Sequence, residues 1–208
     1  LDSSDVNMFG LNRYTENSES WAEDVTVQGS TGRVDWLFGA NWFTEDLHGE
    51  VQVPLTNLGL AFGLPADFFD DGFYWQNGDV NIDAWGAFAQ ARIAVTDSFA
   101  ATVGARYNYE KRQGTGYFRF DALGVLVPTD NQKSWDKITP KLLLEYTFQN
   151  GGLLYAQYTQ GFKSGVINTG STSAVIDPEY VDAYEIGYKQ QFAENRASGQ
   201  ATRKSAII

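Results

Sequence analysis

The sequence predicts an all-β chain, an antiparallel meander whose strands have the length of transmembrane β-barrel strands. Three observations carry this. Apolar and polar residues alternate with a period of two over long segments, which gives strands with two unlike faces. Aromatic residues make up 15% of the chain and there are 21 glycines, a composition suited to strands and tight turns. The connections alternate between short and long, so that all short turns fall at one end of the meander.

The elements follow in order. Residues 1 to about 18 are polar and irregular and read as the end of a loop. A first strand runs from about Ser20 to Gln28, with Trp21, Val25 and Val27 on one face and Glu23 among them. Gly29-Ser30-Thr31-Gly32 is a turn. The second strand, Arg33 to Glu45, aligns Val34, Trp36, Phe38, Ala40 and Trp42. A long connection follows, from about Asp46 to Ile82, holding Pro54, Pro65 and the acidic-aromatic run ADFFDDGFYWQNGD.

The third strand, Asp83 to Val95, aligns Trp85, Ala87, Ala89, Ala91, Ile93 and Val95, and Thr96-Asp97-Ser98 turns the chain. The fourth, Phe99 to about Arg112, has the cleanest pattern: Phe99, Ala101, Val103, Ala105, Tyr107 and Tyr109 oppose Thr102, Gly104, Arg106, Asn108 and Glu110. A second long connection spans about Gln113 to Ser134. The fifth strand, Trp135 to Phe148, sets Ile138, Leu142, Leu144, Tyr146 and Phe148 against Lys137, Thr139, Lys141 and Glu145. Pro140 lacks an N–H, so a bulge or irregular pairing is expected there.

Asn150-Gly151-Gly152 is a hairpin turn. It leads into LLYAQYTQGFKSG, a polar span, and PEYVDAYEIGYKQQF, which ends at Phe192 and carries the sixth and seventh strands. The tail, residues 193–208, has no sustained alternation and is left unassigned. Short turns therefore sit near residues 30, 97 and 151, and long loops near 64, 123 and 172. Outer-membrane barrels have this asymmetry of brief periplasmic turns and longer extracellular loops.

Alternation also suits a soluble β-sandwich. Two features favour lipid. The predicted strands reach about 12–14 residues, against a mean of about 5–6 in globular proteins; at about 3.3 Å per residue and a tilt near 40°, 14 residues rise roughly 35 Å, enough to cross an apolar band of about 25 Å. Folding the third and fourth strands about Thr96-Asp97-Ser98 puts Trp85 beside Tyr109, with small alanines at mid-height, as in an aromatic girdle around an apolar belt. Charges on the opposite face, including Arg106, Lys141, Glu145, Glu185 and Lys189, suit a water-filled or plugged lumen and equally the wet face of a sandwich.

Composition excludes other classes. The formal charge of −11 argues against a nucleic-acid partner, because phosphate binding needs clustered Lys and Arg. There is no cysteine, so no disulfide framework or thiolate metal site is available. No apolar run is long enough for a membrane-spanning helix. The start, Leu-Asp-Ser-Ser-Asp, is read as following a removed leader or as internal. No nucleophile–base arrangement, phosphate loop or zinc spacing is legible, so an enzyme is not expected, nor a cofactor.

Residues 155–168, YAQYTQGFKSGVIN, followed by PEYVDAYEIGYKQQF, resemble a late-barrel signature of the TonB-dependent outer-membrane receptors, approximately Y-x-x-Y-x-x-G-F-K-S-G and then P-E-x-x-x-x-Y-E-x-G. The segments 87–112 and 135–148 resemble that family as well. The resemblance covers about Ser20 to Phe192. It implies an outer-membrane location and active uptake of a scarce, bulky nutrient, with iron–siderophore chelates the commonest cargo. It also implies a plug domain in the lumen and TonB as the partner that pulls on it. No plug is expected within these residues, and about seven strands compare with about 22 in such barrels, so residues 1–192 read as an incomplete barrel fragment. A passive outer-membrane porin and a soluble β-sandwich binding module are the alternatives.

Two sets of site residues are expected. The acidic-aromatic loop, Asp67, Phe68, Phe69, Asp70, Asp71, Phe73, Tyr74 and Trp75, is a candidate for ligand contact, its carboxylates suiting a hard cation if any; a solvated loop is the plainer reading, and no metal is expected. Arg106, Glu110, Glu145, Lys163, Glu185 and Lys189 are candidates for the lumen face, where pairing with one another or holding a plug competes with contact to cargo. His48 is the only histidine and is read as a loop residue.

Overall fold

The computed structural model describes residues 13–55, 57–69, 72–169, 175–192 and 197–207. Among them are ten strands: β1 (Arg13–Thr31), β2 (Val34–Pro54), β3 (Phe73–Ala94), β4 (Phe99–Phe120), β5 (Val125–Thr147), β6 (Leu153–Lys163), β7 (Val166–Ile167), β8 (Val175–Ile176), β9 (Glu179–Phe192) and β10 (Ala197–Ile207). Eight make one antiparallel sheet in the order β1-β2-β3-β4-β5-β6-β9-β10, and β7 and β8 form a separate small ribbon. The sheet is a meander, as the alternation of the sequence requires, and it is open at β1 and β10.

The strands are longer than the hydropathy pattern indicates. β2 to β5 run for 21, 22, 22 and 23 residues. The connection expected over Asp46 to Ile82 is therefore mostly strand, and only residues 55–72 lie between β2 and β3, with a short helix at Leu58–Ala61 and a 3-10 turn at Ala66–Phe69. The connection expected over Gln113 to Ser134 shrinks to a 3-10 turn at Asp121–Leu123 closed by Gly124 at φ 61°. β1 begins at Arg13, inside the expected loop, and pairs with β2 throughout. The tail without alternation carries β10, paired with β9 from Ala197↔Phe192 to Ile207↔Asp182. His48 lies in β2, not a loop, with its Nδ1 2.7 Å from Asp79 Oδ1.

One face of the sheet is apolar and exposed. Its rows follow the register: Val27, Phe38, Ala89, Ala105 and Pro140 are successive partners, as are Trp36, Ala91, Val103, Leu142, Tyr158 and Tyr184. Val103 is 47% exposed, Ile138 61% and Ile186 53%, which water would not tolerate over so large an area. The band ends at an aromatic row. Trp42 pairs with Trp85 and Trp85 with Tyr109, and the Trp85 ring lies 5.1 Å from Tyr107 and 5.9 Å from Tyr109. From Phe99 to Tyr109 the chain climbs about 25 Å at ~3.3 Å per residue and ~40° tilt, the height of an outer-membrane apolar band.

Above that row the same face turns polar: Thr44, Asp46, Asn81, Asp83, Lys111 and Gln113 continue it. Asn81 donates to Asp46, and Thr44 Oγ1 donates to Asp83 Oδ1 at 3.2 Å. The strands simply continue into water, where neither face needs to be apolar.

Pro140 causes no bulge on its β4 side, where Ala105↔Pro140 sits in unbroken register. On the other side, pairing of β5 with β6 stops next to it, at Lys141↔Thr159. Above that point β5 and β6 part, and the chain after Lys163 turns into the space beside them.

Candidate functional site

The face opposite the apolar band carries a lattice of polar side chains that reach across whole strands. Each reach is possible because the strand crossed is small at that level. Arg92 Nε donates to Glu145 Oε2 at 3.1 Å across β4, and its Nη1 lies 3.8 Å from Asp35 Oδ2; Ala100 and Thr102, both buried, mark the crossing. One step higher, Lys141 Nζ donates to Gln90 Oε1 at 2.9 Å. Gly104 is the register partner of both.

Arg106 is the next member. Its Nη2 donates to Asn41 Oδ1 at 2.5 Å and its Nε to Asn108 Oδ1 at 2.6 Å, and its guanidinium sits 5.5 Å from the centre of the Phe88 ring. The reach to Asn41 crosses Gly86, where a Cβ would stand 2.5 Å from Arg106 Nη2. Phe88 in turn covers Gly39, and Tyr155 covers Gly187, rings filling the space that glycine leaves in a strand.

The segment after β6 folds onto the upper part of this face. Ser164 Oγ donates to Glu110 Oε1 at 2.5 Å, Arg112 Nε lies 2.5 Å from the same oxygen, and Arg112 Nη2 donates to Ser164 Oγ at 3.5 Å. Ile167 packs over Gly114 and Thr169 over Gly78, where Cβ atoms would come within 2.5 and 2.2 Å of them. Thr129 Oγ1 donates to the Thr169 carbonyl at 3.2 Å, and Lys133 Nζ to Asp177 Oδ1 at 3.2 Å. Ile82, Trp135 and Ile167 are buried here. This part of the apolar core is thus made by a strap lying against the sheet; Leu55 and Leu58 are buried separately, between β2 and β3.

Of the residues expected on the lumen face, Arg106, Glu110, Glu145, Glu185 and Lys189 occupy the polar face, each with a partner. Glu185 accepts from Tyr155 Oη at 2.6 Å and lies 3.2 Å from Lys204 Nζ; Lys189 Nζ is 5.2 Å from the Tyr155 ring centre. Lys163 stands at the rim, largely exposed, 3.6 Å from Glu179.

The acidic-aromatic candidates do not form one loop. Asp67, Phe68 and Phe69 sit in the 3-10 turn at the tip, whereas Phe73, Tyr74 and Trp75 belong to β3; Asp70 and Asp71 lie outside the described residues. Phe69 meets Phe62 and Phe68 edge-on at 6.2 and 4.8 Å. Trp75 instead stacks under the Arg119 guanidinium at 4.8 Å. Among the described residues no three His, Cys, Asp or Glu gather as for a metal ion. Sequence reasoning passed over Arg92, Asp35 and Arg112; cross-strand register brings Arg92 to Asp35, and the segment after β6 brings Ser164 to Arg112.

Residues 2–202 match the family model described as TonB dependent receptor-like, beta-barrel. No curated protein matches the sequence with significance. Among solved structures, the chain is similar to the ferric yersiniabactin uptake receptor FyuA from Yersinia pestis, with a TM-score of 0.80 and 16% identity over 97% of this chain and 30% of that one. It is similar to the siderophore receptor PiuA from Acinetobacter baumannii, with a TM-score of 0.67 and 15% identity over 92% of this chain and 32% of that one. The ferric-catecholate import receptor Fiu from K12 E. coli gives a TM-score of 0.64 and 15% identity over 92% and 31%. At these identities the likeness is one of fold, and the chain spans about a third of the length of the receptors it matches.

Proposed function

This chain belongs to the TonB-dependent receptor β-barrel family, and from that premise we propose that it forms part of the wall of a receptor importing a ferric chelate. The barrel family is one of the outer membrane, and its members transport rather than catalyse. The observation that supports the reading is the pairing of two unlike faces on one sheet. An apolar face bounded by Trp42, Trp85 and Tyr109 backs onto a face of interlocked charges and amides. Lipid suits the first; a filled or watery bore suits the second.

Iron–siderophore cargo is proposed on the strength of the three fold neighbours named above, each described as a siderophore or ferric-chelate receptor. A plug in the bore and TonB as the source of pulling force complete the proposal. The test is uptake of a panel of labelled ferric chelates by cells carrying or lacking the parent gene. Saturable uptake of one chelate, lost without TonB or with the proton gradient collapsed, is the expected result. Energy-independent passage of many small solutes would replace it with a porin, and no uptake of any ferric chelate would overturn the cargo.

A further inference from the structure

Within the sheet, one pair of neighbouring strands is not laddered through the lipid band. The β5–β6 ladder runs from Thr147↔Leu153 to Lys141↔Thr159 and stops. β5 continues upward on β4, and β6 continues on β9 to Lys163↔Glu179. Had the ladder gone on, Pro140 would meet Gln160 and Ile138 would meet Phe162. Pro140 is the partner of mid-belt Ala105, and Asp136 that of Tyr109 in the aromatic row. The seam between those levels spans about 10 Å of the band at ~3.3 Å per residue and ~40° tilt. The segment after Lys163 roofs it, with Ser164 bonded to Glu110 and Arg112.

A hydrocarbon chain already lies in this seam. Lys137, the partner of Asn108, has the parity of the polar face. Tyr180 has the parity of the lipid face: it is the partner of Phe162, stacks on it at 5.7 Å, and stands four residues from Tyr184. Yet Lys137 Nζ lies 4.7 Å from the Tyr180 ring centre, so the methylene stem of Lys137 passes through the seam from the bore side to the lipid side. The ring holds the ammonium there, and among the described residues no carboxylate pairs with it. The seam thus takes one straight alkyl chain, and its present occupant is free to move aside.

Both mouths are distinct. On the bore side lies a cavity of about 420 Å³ bordered by Phe88, Arg106, Pro140, Lys141, Thr159 and Gln160. On the lipid side Gln160 and Asp182 interrupt the apolar parity, with Tyr158 Oη and Gln160 Nε2 donating to Asp182 Oδ1 at 2.8 and 3.0 Å. Strand edges without a ladder persist at membrane depth only where they border protein or a watery cavity, so the seam joins the bore to the lipid. That geometry suits a molecule with a polar head in the bore and an alkyl tail outside it. Drawing such a tail into a watery bore costs transfer free energy for every methylene, and leaving it in lipid avoids that cost.

We propose that the β5–β6 seam is a slot for a single alkyl chain, and that the ferric chelate imported by the parent receptor carries a fatty-acyl tail. The tail stays in the lipid while the head enters the bore. The slot rests on the reading of this sheet as the wall of a chelate importer.

The experiment is uptake, by cells carrying the parent receptor, of ferric hydroxamate, catecholate and carboxylate chelates, each made with a dodecanoyl and with an acetyl tail. For the head that is transported, the dodecanoyl form is expected to enter about tenfold faster than the acetyl form. The same head with a diazirine in its dodecanoyl chain is expected, on irradiation, to label residues 136–142 and 158–163. In the double variant Ile138→Cys and Phe162→Cys, bridged across the seam by a short dithiol-specific linker, the preference for the dodecanoyl form is expected to vanish. Heat-modified mobility checks that the bridged receptor is folded. Equal uptake of the two forms, labelling confined to other residues, or a preference untouched by the bridge overturns the slot and leaves the importer standing. Uptake of no ferric chelate in either form overturns the importer reading itself and the acylated cargo with it.

Discussion

Lys141 on β5 and Gln90 on β3 are joined at 2.9 Å over the top of Gly104, which pairs with both. The strand between them contributes nothing but clearance. The same device recurs where Arg106 crosses Gly86 to Asn41 and where Arg92 passes Ala100 and Thr102 to Glu145. The polar face thus depends on small residues at each crossing, two of them glycines.

Gly86→Val tests that dependence. A Cβ at Gly86 would stand 2.5 Å from Arg106 Nη2 and 2.8 Å from Asn41 Oδ1, so the charged hydrogen bond breaks. A loss of about 1.5–3 kcal/mol is expected, read from the denaturant midpoint of the folded parent in detergent. A midpoint equal to the unsubstituted protein would show that the lattice carries no stability.

The edge of the lipid band is predicted to fall between Tyr109 and Lys111. Ala105→Arg, at mid-belt, is expected to cost about 2–4 kcal/mol of folding into vesicles, and Gln113→Arg, above the aromatic row, about 0–1 kcal/mol. Equal penalties at the two positions would mean that the apolar face does not meet lipid.

The strap depends on two glycines beneath it. Gly78→Val puts side-chain carbon into the place of the Thr169 hydroxyl, 2.2 Å away, and is expected to lift residues 164–169 off the sheet. Hydrogen exchange in that segment is expected to rise at least tenfold, with β3 and β4 protection below Trp85 and Tyr109 unchanged. Ser164→Ala removes the hydrogen bonds that tie this segment to Glu110 and Arg112 and should loosen it by about 1 kcal/mol.

Pro140→Ala restores a backbone donor next to the last β5–β6 pair, Lys141↔Thr159. Pairing is expected to extend to Gln160, with slower amide exchange there and no change across Ala105, whose ladder already runs through this level. Unchanged exchange at Gln160 would mean that the strap, not proline, keeps β5 and β6 apart.

Within the lipid band the fold was legible. Alternation from Trp85 to Ile93 and from Phe99 to Tyr109 located β3 and β4, their turn and the Trp85–Tyr109 contact, because lipid on one side imposes a period of two. Above the band the signal vanished while the strands went on. Asp46 to Pro54 and Gln113 to Phe120 lie above the lipid, so pairing holds them extended without any hydropathic alternation, and β10 escaped notice for the same want of pattern.

The site followed a similar division. The sequence alone determined which charges share the polar face, since parity along a strand decides that for Arg106, Glu145 and Glu185. Which of them meet was decided by the tertiary structure. Register between strands brings Arg92 to Glu145 and sets Arg106 and Lys141 against amides, and the segment after β6 brings Ser164 to Glu110 and Arg112. Register is a relation between distant segments, set by turn geometry and by the fit of side chains over glycine, and no period within a single strand encodes it.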